Sequence, residues 1–290
     1  MNYKCPLCQK DTNFIGFQKG KLDARDFLIR RCNFCHYSFV ENFRTDFDCI
    51  YNESYYRGDG ADPSVNFLHE VNNPSETIRT YEWQGIYDIY IKLFPSGGKW
   101  LDFGCGLGGL VGYANQKGVD IVGFEEGWSV NCAHSKGLKI LTRAELNTYA
   151  GQFDFITAIE VLEHLSDPVV TLKKIRELMK PGGVLFITTG NAAPWRSRLL
   201  NWSYTQCPDV HISFFEPETL AMCLKLSGFE PNYFASPAYF IGLIKFKVLK
   251  ALKMRRKNIF LELLPWSFIA RVVDARYRVS KQPYGVANEP

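Results

Sequence analysis

The sequence predicts an α/β protein in which a doubly wound, Rossmann-like sheet follows a small N-terminal module. Three observations support this fold class. The apolar run Trp100–Phe103 leads into a turn with four glycines and then into a helical pattern. Further short apolar runs alternate with helical patterns, which is typical of a parallel sheet covered by helices. Two Cys-x-x-Cys motifs precede this region, so the small module is predicted to be a zinc ribbon.

The composition is that of an ordinary globular protein. The 290 residues are 46% hydrophobic and 22% charged, which suits one large domain and a small one. The net charge of +4 does not by itself indicate a nucleic-acid partner, although residues 231–290 contain eleven Lys and Arg against three Asp and Glu. We find no leader pattern and no apolar stretch of eighteen residues. Together with an odd number of cysteines, nine, these features predict a reducing, cytoplasmic location.

The N-terminal cysteines have the spacing of zinc ligands. Two Cys-x-x-Cys pairs, separated by twenty-three residues, comprise Cys5, Cys8, Cys32 and Cys35. Four thiolates close a tetrahedral Zn²⁺ site and leave no position for water, so the predicted zinc is structural. Because residues 1–45 are too few to bury a large core, the metal would supply much of their folding free energy. His36 could instead pair with Cys32 as a zinc ligand, although we favour the interpretation that His36 is a surface residue. Cys49 lies outside both Cys-x-x-Cys pairs and is not expected to bind the metal.

Two elements are predicted between the cysteines and the glycine turn. Residues 44–74 are rich in Asp, Asn, Gly and aromatic residues, which indicates an irregular connector that lies over a pocket. Apolar residues at helical spacing predict a helix over residues 74–94. This helix either covers a ligand or simply packs on the sheet.

The glycine turn has two competing interpretations. The dinucleotide motif G-x-G-x-x-G is matched by Gly104, Gly106 and Gly109, and Glu125 is at the right distance to bind a ribose. The pattern D-x-G-x-G-x-G is matched by Asp102, Gly104, Gly106 and Gly108. This second pattern resembles the first motif of class I S-adenosylmethionine (SAM) methyltransferases. The resemblance implies that Asp102 lies near the methionine amino group and that the turn, which includes Cys105, makes room for SAM.

Three strands and a helix follow from the next apolar runs. Residues 120–124 form the second predicted strand, and Glu125, or Glu126 if the register differs by one, supplies a carboxylate for both ribose hydroxyls. A helix over Trp128–Ser135 and a short strand over residues 138–141 come next. The continuous apolar run Phe153–Ile159 is the fourth strand.

The segment after the fourth strand makes the resemblance specific. The sequence FDFITAIEVLEHLSDP resembles the fourth-strand motif of methyltransferases of the ubiquinone-biosynthesis O-methyltransferase type. A Pro-Gly-Gly turn at residues 181–183 then leads into a fifth strand, as in that family. These landmarks cover residues 100–189 and imply a methyltransferase sheet that binds SAM. A nicotinamide oxidoreductase has no need of the E-V-L-E-H segment and ranks second.

The resemblance also implies roles for side chains at the sheet edge. Glu160 would lie beside the cofactor, and His164 would face the methyl-transfer site and take a proton from the acceptor. Alternatively, Glu163 and His164 orient the next helix, predicted over residues 168–179. His211 is a second candidate base, and its alternative role is a structural contact between a loop and the sheet.

The C-terminal third of the chain is less regular. Residues 191–215 are expected to form a lid over the acceptor, and Pro217 begins a helix. Strands are predicted over residues 229–236 and 239–244. The basic segment 245–273 either packs on the domain as a helix with a solvated face, which we prefer, or contacts an anionic membrane surface.

These expectations combine into a SAM-dependent methyltransferase with four parts. Residues 1–45 bind zinc, 46–97 connect and cover the cofactor, 98–244 form the SAM-binding core, and 245–290 form a basic, amphipathic extension. Cys-x-x-Cys pairs ahead of such a core resemble methyltransferases that modify sugars and surface polysaccharides, so the expected acceptor is a carbohydrate or nucleotide sugar. An RNA nucleobase is the next alternative, followed by the nicotinamide enzyme and a non-catalytic zinc-ribbon interaction protein.

Overall fold

Two β-sheets organise the chain in the computed structural model, which describes residues 3–63, 65–193, 203–233, 237–251, 263–270 and 285–288. The strands are β1 Thr12–Lys19, β2 Asp26–Cys32, β3 Ser38–Val40, β4 Trp100–Phe103, β5 Ile121–Phe124, β6 Ile140–Leu141, β7 Phe153–Ile159, β8 Met179–Thr188, β9 Ser213–Phe214, β10 Glu230–Tyr233 and β11 Gly285–Asn288. The α-helices are α1 Phe47–Ile50, α2 Glu53–Arg57, α3 Phe67–Asn72, α4 Arg79–Leu93, α5 Gly109–Asn115, α6 Trp128–Ser135, α7 Arg143–Leu146, α8 Pro168–Leu178, α9 Pro217–Leu226 and α10 Ile241–Ala251.

The larger sheet has seven strands in the order β10-β11-β8-β7-β4-β5-β6. Strands β4 to β8 pair in parallel, whereas β11 runs antiparallel between β8 and β10. The chain order reverses between β4 and β7, so the loops that follow these strands diverge and leave a crevice at their carboxyl ends. This doubly wound arrangement matches the predicted fold class.

Helices cover both faces of this sheet, which explains why β4 and β7 are mostly apolar. On one face, Leu101 and Ile156 pack with Leu172 of α8 and Leu220 of α9. On the other face, Trp100 is fully buried and Tyr90 of α4 stacks on it, with ring centroids 4.9 Å apart. The two apolar layers fix the sheet and thereby the loops at its edge.

The smaller sheet joins the N-terminal module to the core. Its order is β1-β2-β3-β9, and β9 lies near the end of the predicted lid, shortly before α9. The register pairs Ser38 with Phe214 and Phe39 with Ser213. The module therefore shares a sheet with the segment that follows His211. This pairing of β3 with the two-residue strand β9 joins distant parts of the chain, and no local sequence pattern indicates it.

Several predicted elements are found with small changes in their bounds. The helix Trp128–Ser135 and the strand Phe153–Ile159 have the predicted ends. The helix expected over residues 74–94 is a 3₁₀ turn at Pro74–Glu76 followed by α4, which starts at Arg79. The connector was predicted to be irregular but contains the short helices α1, α2 and α3, because its tyrosines pack together.

The predicted strand over residues 239–244 is wrong. This stretch is the 3₁₀ turn Pro237–Phe240 and the start of α10, which pack against α4. A Cβ atom on Gly85 of α4 would lie 2.5 Å from the Phe240 ring, so the two elements approach closely at this glycine. The antiparallel strand of the core sheet is instead β11, which lies beyond residue 244 and inside the predicted C-terminal extension.

The C-terminal extension begins within the packed helix α10. Phe246 and Leu249 of α10 are buried, in keeping with the preferred interpretation, whereas Leu263 and Phe268 are exposed. Residues 252–262, 271–284 and 289–290 of the extension lie outside the described residues, as do residues 194–202 of the predicted lid with Trp195 and Trp202. In the described ranges, none of the helices combines the length and apolar character needed to cross a bilayer.

Candidate cofactor and acceptor site

A cavity of about 1060 Å³ opens at the carboxyl edge of the large sheet, at the reversal between β4 and β7. Its walls come from the ends of β4, β5 and β7 and from the connector helices α1 and α2. The predicted site residues that line it are Asp102, Gly104, Cys105, Gly106, Glu125, Glu160, His164 and His211. Ligands bind at this position in open α/β sheets.

The glycine turn presents its backbone to the cavity. Gly104 and Gly106 have φ angles of +76° and +54°, which side-chain-bearing residues rarely adopt. A Cβ atom on Gly104 would lie 2.6 Å from Val161 Cγ2, whereas one on Gly106 would meet nothing within 4 Å. Gly108 is not part of the cavity lining, and a Cβ atom there would lie 2.4 Å from Leu138 Cδ1. Gly108 therefore serves the packing of the turn rather than the cavity.

Asp102 forms a buried wall of the cavity at the end of β4. Its carboxylate accepts a hydrogen bond of 2.7 Å from Thr157 Oγ1, and Trp100 Nε1 donates to the same hydroxyl at 2.9 Å. Burial raises the pKa of Asp102 to about 7. The carboxyl group thus titrates near neutral pH, and a neighbouring cation would favour its ionised form.

Glu125, at the end of β5, faces the glycine turn. Its Oε2 accepts from the Gly106 N–H at 2.7 Å and its Oε1 accepts from the Glu126 N–H at 2.9 Å. Burial raises the pKa of Glu125. The side chain of Glu126 is 52% exposed and pairs with Arg143. The register therefore aims Glu125 at the turn, while Glu126 is held at the rim.

Another acidic side chain lines the cavity where β7 ends. Glu160 has a φ angle of +53°, an unusual conformation for a residue with a side chain. Burial and the nearby Glu82 raise the pKa of Glu160 to about 7. Arg79 of α4 donates to Glu70 at 2.6 Å and to Glu82 at 2.7 Å, with its side chain only 20% exposed. Sequence reasoning missed Arg79, because a single arginine at a helix start has no motif.

Two histidines meet in the lining of the same cavity. The ring centroids of His164 and His211 lie 4.9 Å apart. His164 Nδ1 lies 3.0 Å from the Val210 carbonyl oxygen and 3.0 Å from the Tyr51 hydroxyl. Because a carbonyl oxygen can only accept, Nδ1 carries the proton and Nε2 carries the lone pair. Tyr51 is one of the aromatic residues of the connector, and no sequence pattern indicates its contact with His164, because that contact depends on the tertiary fold.

Both histidines are neutral at physiological pH. Burial lowers the pKa of His164 to about 3, with a further contribution from His211, and burial lowers the pKa of His211 to about 3. Glu163 is buried next to them and accepts from Thr189 Oγ1 at 2.8 Å. Ligand atoms of Glu163, His164 and His211 lie within 4.8 Å of one another. This group can exchange a proton, and its donor atoms are close enough to share a cation.

Comparison with known proteins identifies the family. A model of the methyltransferase domain matches residues 66–232, which is more than half of the chain. The chain belongs to the class I SAM-dependent methyltransferases. The match contains the glycine turn, Glu125 and the E-V-L-E-H segment, so the nicotinamide oxidoreductase interpretation is set aside.

Curated relatives of this methyltransferase act in ubiquinone biosynthesis. A ubiquinone biosynthesis O-methyltransferase from Bordetella avium is 32% identical over 190 residues, which cover 59% of this chain and 75% of that protein. One from Azoarcus sp. is 37% identical over 142 residues, which cover 45% of this chain and 57% of that protein. The methyltransferase therefore spans between about half and three quarters of the length of these relatives.

Solved structures agree on the fold of the methyltransferase. A phosphoethanolamine N-methyltransferase from Haemonchus contortus, bound to phosphomonomethylethanolamine and S-adenosylhomocysteine, has a TM-score of 0.57 at 16% identity and covers 97% of this chain and 68% of that one. A plantazolicin methyltransferase bound to a substrate analogue and S-adenosylhomocysteine has a TM-score of 0.52 at 14% identity and covers 81% of this chain and 93% of that one. At these identities the likeness concerns the fold alone.

The four N-terminal cysteines of the methyltransferase meet in one cluster. Their sulfur atoms all lie within 4.8 Å of one another, with 3.6 Å between Cys5 and Cys35 and 3.4 Å between Cys8 and Cys32. Zn–S bonds of about 2.3 Å in a tetrahedron place sulfurs about 3.8 Å apart, so the cluster fits Zn²⁺ closely. The Phe34 and Cys35 N–H groups point at Cys32 Sγ, as a thiolate requires.

His36 and Cys49 are outside this cluster. The side chain of His36 is 55% exposed, and its Nδ1 lies 3.7 Å from Glu216 Oε2. Cys49 is exposed at the end of the connector helix α1. Neither belongs to a metal-binding group among the described residues.

Proposed function

We propose that this methyltransferase moves the methyl group of SAM to a hydroxyl group of a small carbohydrate or nucleotide-sugar acceptor. The observation that carries the proposal is the neutral histidine pair in the same cavity as the glycine turn. Methyl transfer to oxygen needs a group that accepts the hydroxyl proton, and His164 Nε2 has the free lone pair for it. The SAM-dependent reaction follows from the family, and the acceptor is our inference.

The cofactor end of the cavity supplies complementary charges for SAM. Asp102 would face the methionine ammonium group, and Glu125 would accept from both ribose hydroxyls once SAM replaces its present contact with Gly106. Arg79 is a cation near Glu160 that could pair with the methionine carboxylate. Gly106, with open space above it, lets the cofactor approach the backbone.

The transfer is a single displacement. The acceptor oxygen forms a bond to the methyl carbon as the carbon–sulfur bond breaks, and both electrons of that bond stay on sulfur to give S-adenosylhomocysteine. The hydroxyl proton becomes acidic as the oxygen donates its electrons, and His164 Nε2 takes it. Because burial lowers the pKa of His164 to about 3, the imidazole is neutral before the reaction but only weakly basic. It therefore takes the proton late, once the methylated oxygen carries positive charge and its proton is strongly acidic. Most of the rate enhancement would come from holding the oxygen and the methyl group in line.

The acceptor end of the cavity supports a polar ring as substrate. Tyr51 contacts His164, and the lining of the same cavity includes Phe47, the carboxylates of Asp48 and Asp62 and the ammonium of Lys174. Aromatic faces and charged hydrogen-bonding groups together suit a polyhydroxylated ring. Phe47, Asp48, Tyr51 and Asp62 lie outside residues 66–232, so this part of the wall is not in the family match. The curated relatives make an acceptor of the ubiquinone-biosynthesis type the second candidate.

We also propose that Cys5, Cys8, Cys32 and Cys35 hold a structural Zn²⁺. The support is the distance between the sulfurs, their closed four-thiolate set and the N–H groups aimed at Cys32. Zinc would stabilise the module and take no part in the transfer.

The test is methyl transfer from isotope-labelled SAM to a panel of nucleotide sugars and to phenolic acceptors of the ubiquinone-biosynthesis type. We expect label in a nucleotide sugar, a loss of roughly 10²-fold or more in rate for His164→Gln, and no loss for the exposed His36→Gln control. Label only in the phenolic acceptors would favour the second candidate. Full activity of His164→Gln would remove the histidine from the mechanism.

A further inference from the structure

The N-terminal module reaches the acceptor side of the cavity through a short path of hydrogen bonds. We propose that Tyr37 and Ser213 are positioning residues that hold His164, so that the zinc-binding module sets the geometry of the acceptor-side base. This rests on the proposed function, in which His164 takes the proton and zinc fills the four-thiolate cluster. Three steps connect the cysteines to His164.

In the first step, the cysteine cluster fixes Tyr37 and β3. The Cys32 N–H donates to the Tyr37 carbonyl at 2.9 Å, and this hydrogen bond closes the turn that contains Cys35. The next residues form β3, which pairs with β9, and the Val40 N–H extends this pairing by donating to the Ile212 carbonyl at 2.9 Å. Movement of the cysteine loop therefore moves β9.

In the second step, two hydroxyl groups bridge the module and the core. Ser213 Oγ lies 2.6 Å from the Leu165 carbonyl oxygen and 2.6 Å from the Tyr37 hydroxyl oxygen. Since the carbonyl can only accept, the serine donates to Leu165 and its oxygen accepts the Tyr37 proton. The direction of both hydrogen bonds is thereby fixed.

In the third step, residues 210–213 form hydrogen bonds to both chain neighbours of His164. The Ile212 N–H donates to the Glu163 carbonyl at 2.8 Å, and Ser213 bonds to the Leu165 carbonyl. The Val210 carbonyl accepts from His164 Nδ1 itself. Residues 210–213 thus fix the backbone on either side of the histidine and select its tautomer. Release of β9 would free the ring to exchange tautomers and would turn Nε2 away from the acceptor.

The cofactor end does not depend on this path. Asp102, the glycine turn and Glu125 follow strands β4 and β5, which are held by the seven-stranded sheet. A defect in the path should therefore appear at His164 and not in the binding of S-adenosylhomocysteine. This separation distinguishes a positioning role from a general loss of structure.

The experiment compares full-length, zinc-loaded protein with Tyr37→Phe and Ser213→Ala, using ¹⁵N-labelled histidine and NMR to observe the His164 ring nitrogens. The matched control is Thr219→Val, because Thr219 Oγ1 donates to the Cys35 carbonyl at 2.7 Å and links the module to α9 without contacting His164. S-adenosylhomocysteine affinity is measured for each protein. The His164 resonances are assigned with His164→Gln.

In the wild type and in Thr219→Val, we expect the His164 ring to hold a single tautomer with the proton on Nδ1. In Tyr37→Phe and Ser213→Ala, we expect the ring to exchange between its two tautomers. Removal of zinc with a chelator should give the same loss. Affinity for S-adenosylhomocysteine should be unchanged throughout. A Tyr37→Phe and Ser213→Ala spectrum equal to that of Thr219→Val would overturn the proposal. Failure of every protein to bind S-adenosylhomocysteine would instead count against the proposed function.

Discussion

Single buried side chains set the charges of the cavity. Burial raises the pKa of Asp102 and Glu160 to about 7 and lowers the pKa of His164 and His211 to about 3. The acids at the cofactor end can therefore ionise when a cation arrives, and the histidines at the acceptor end remain neutral. This division suits a cofactor with an ammonium group and an acceptor that releases a proton.

The pH dependence of cofactor binding follows from Asp102. Below its pKa of about 7 the carboxyl group is protonated and cannot pair with an ammonium group, so affinity for S-adenosylhomocysteine should fall as the pH falls. From pH 8 to pH 6 we expect the dissociation constant to rise about tenfold. Asp102→Asn should bind weakly with no such slope. Calorimetric titration at several pH values measures this.

Glu160 is the matched control for that titration, because its pKa is also raised to about 7. We expect Glu160→Gln to keep the slope. If Glu160→Gln abolished the slope and Asp102→Asn kept it, the ammonium partner would be Glu160.

The site residues that could be predicted from the sequence are those that lie within or next to a recognisable local motif. Gly106 and Glu125 lie nineteen residues apart, yet each ends or follows an apolar run, so their meeting could be predicted. Arg79 and Tyr51 reach the cavity only because α4 and the connector helices pack over the sheet edge. Their contacts depend on tertiary distances that no spacing rule contains.

At the scale of elements, the glycine turn combines backbone conformation with close packing. Gly104 and Gly118 have nearly the same φ angle, +76° and +78°, but only a Cβ atom on Gly104 would meet a neighbour within 4 Å. Gly118→Ala should cost about 1–2 kcal/mol for the left-handed backbone. Gly104→Ala should cost about 1–3 kcal/mol more, because Val161 must move. Equal losses in chemical denaturation would contradict the packing argument.

Elements with a strong local pattern were predictable, and elements defined by distant partners were not. The bounds of α6 and β7 followed from apolar runs with clear ends. The strands β9 and β11 are short and lie beside partners far away in sequence, Phe39 and Phe186 among them. Residues 239–244 have an apolar run that suits a strand, but packing on α4 makes them helical.

At the scale of the whole molecule, the N-terminal module and the core are parts of one structure. They share the β3–β9 pairing, and the module also pairs Arg31 with Glu216 at 2.7 Å at the start of α9. The sequence indicated a zinc ribbon followed by a methyltransferase core. That the two share a sheet could be seen only in the folded structure.

This union predicts one cooperative unfolding transition that depends on zinc. Cys35→Ser should lose the metal and lower the single melting temperature by roughly 5–10 °C, for a loss of about 2–3 kcal/mol. His36→Ala should retain one zinc per chain and an unchanged melting temperature. Calorimetry with metal analysis measures both. Two separate transitions, with the core unaffected by loss of zinc, would contradict the shared-sheet account.

The most direct test of the central claim is calorimetric titration of the zinc-loaded protein with S-adenosylhomocysteine and, in parallel, with NADH. We predict micromolar binding of S-adenosylhomocysteine and none of NADH. Glu125→Ala should weaken binding more than about tenfold, because a charged acceptor of two hydrogen bonds is lost, and the neighbouring Glu126→Ala should not. Binding of NADH without S-adenosylhomocysteine, or equal effects of the two substitutions, would contradict the assignment of this cavity to SAM.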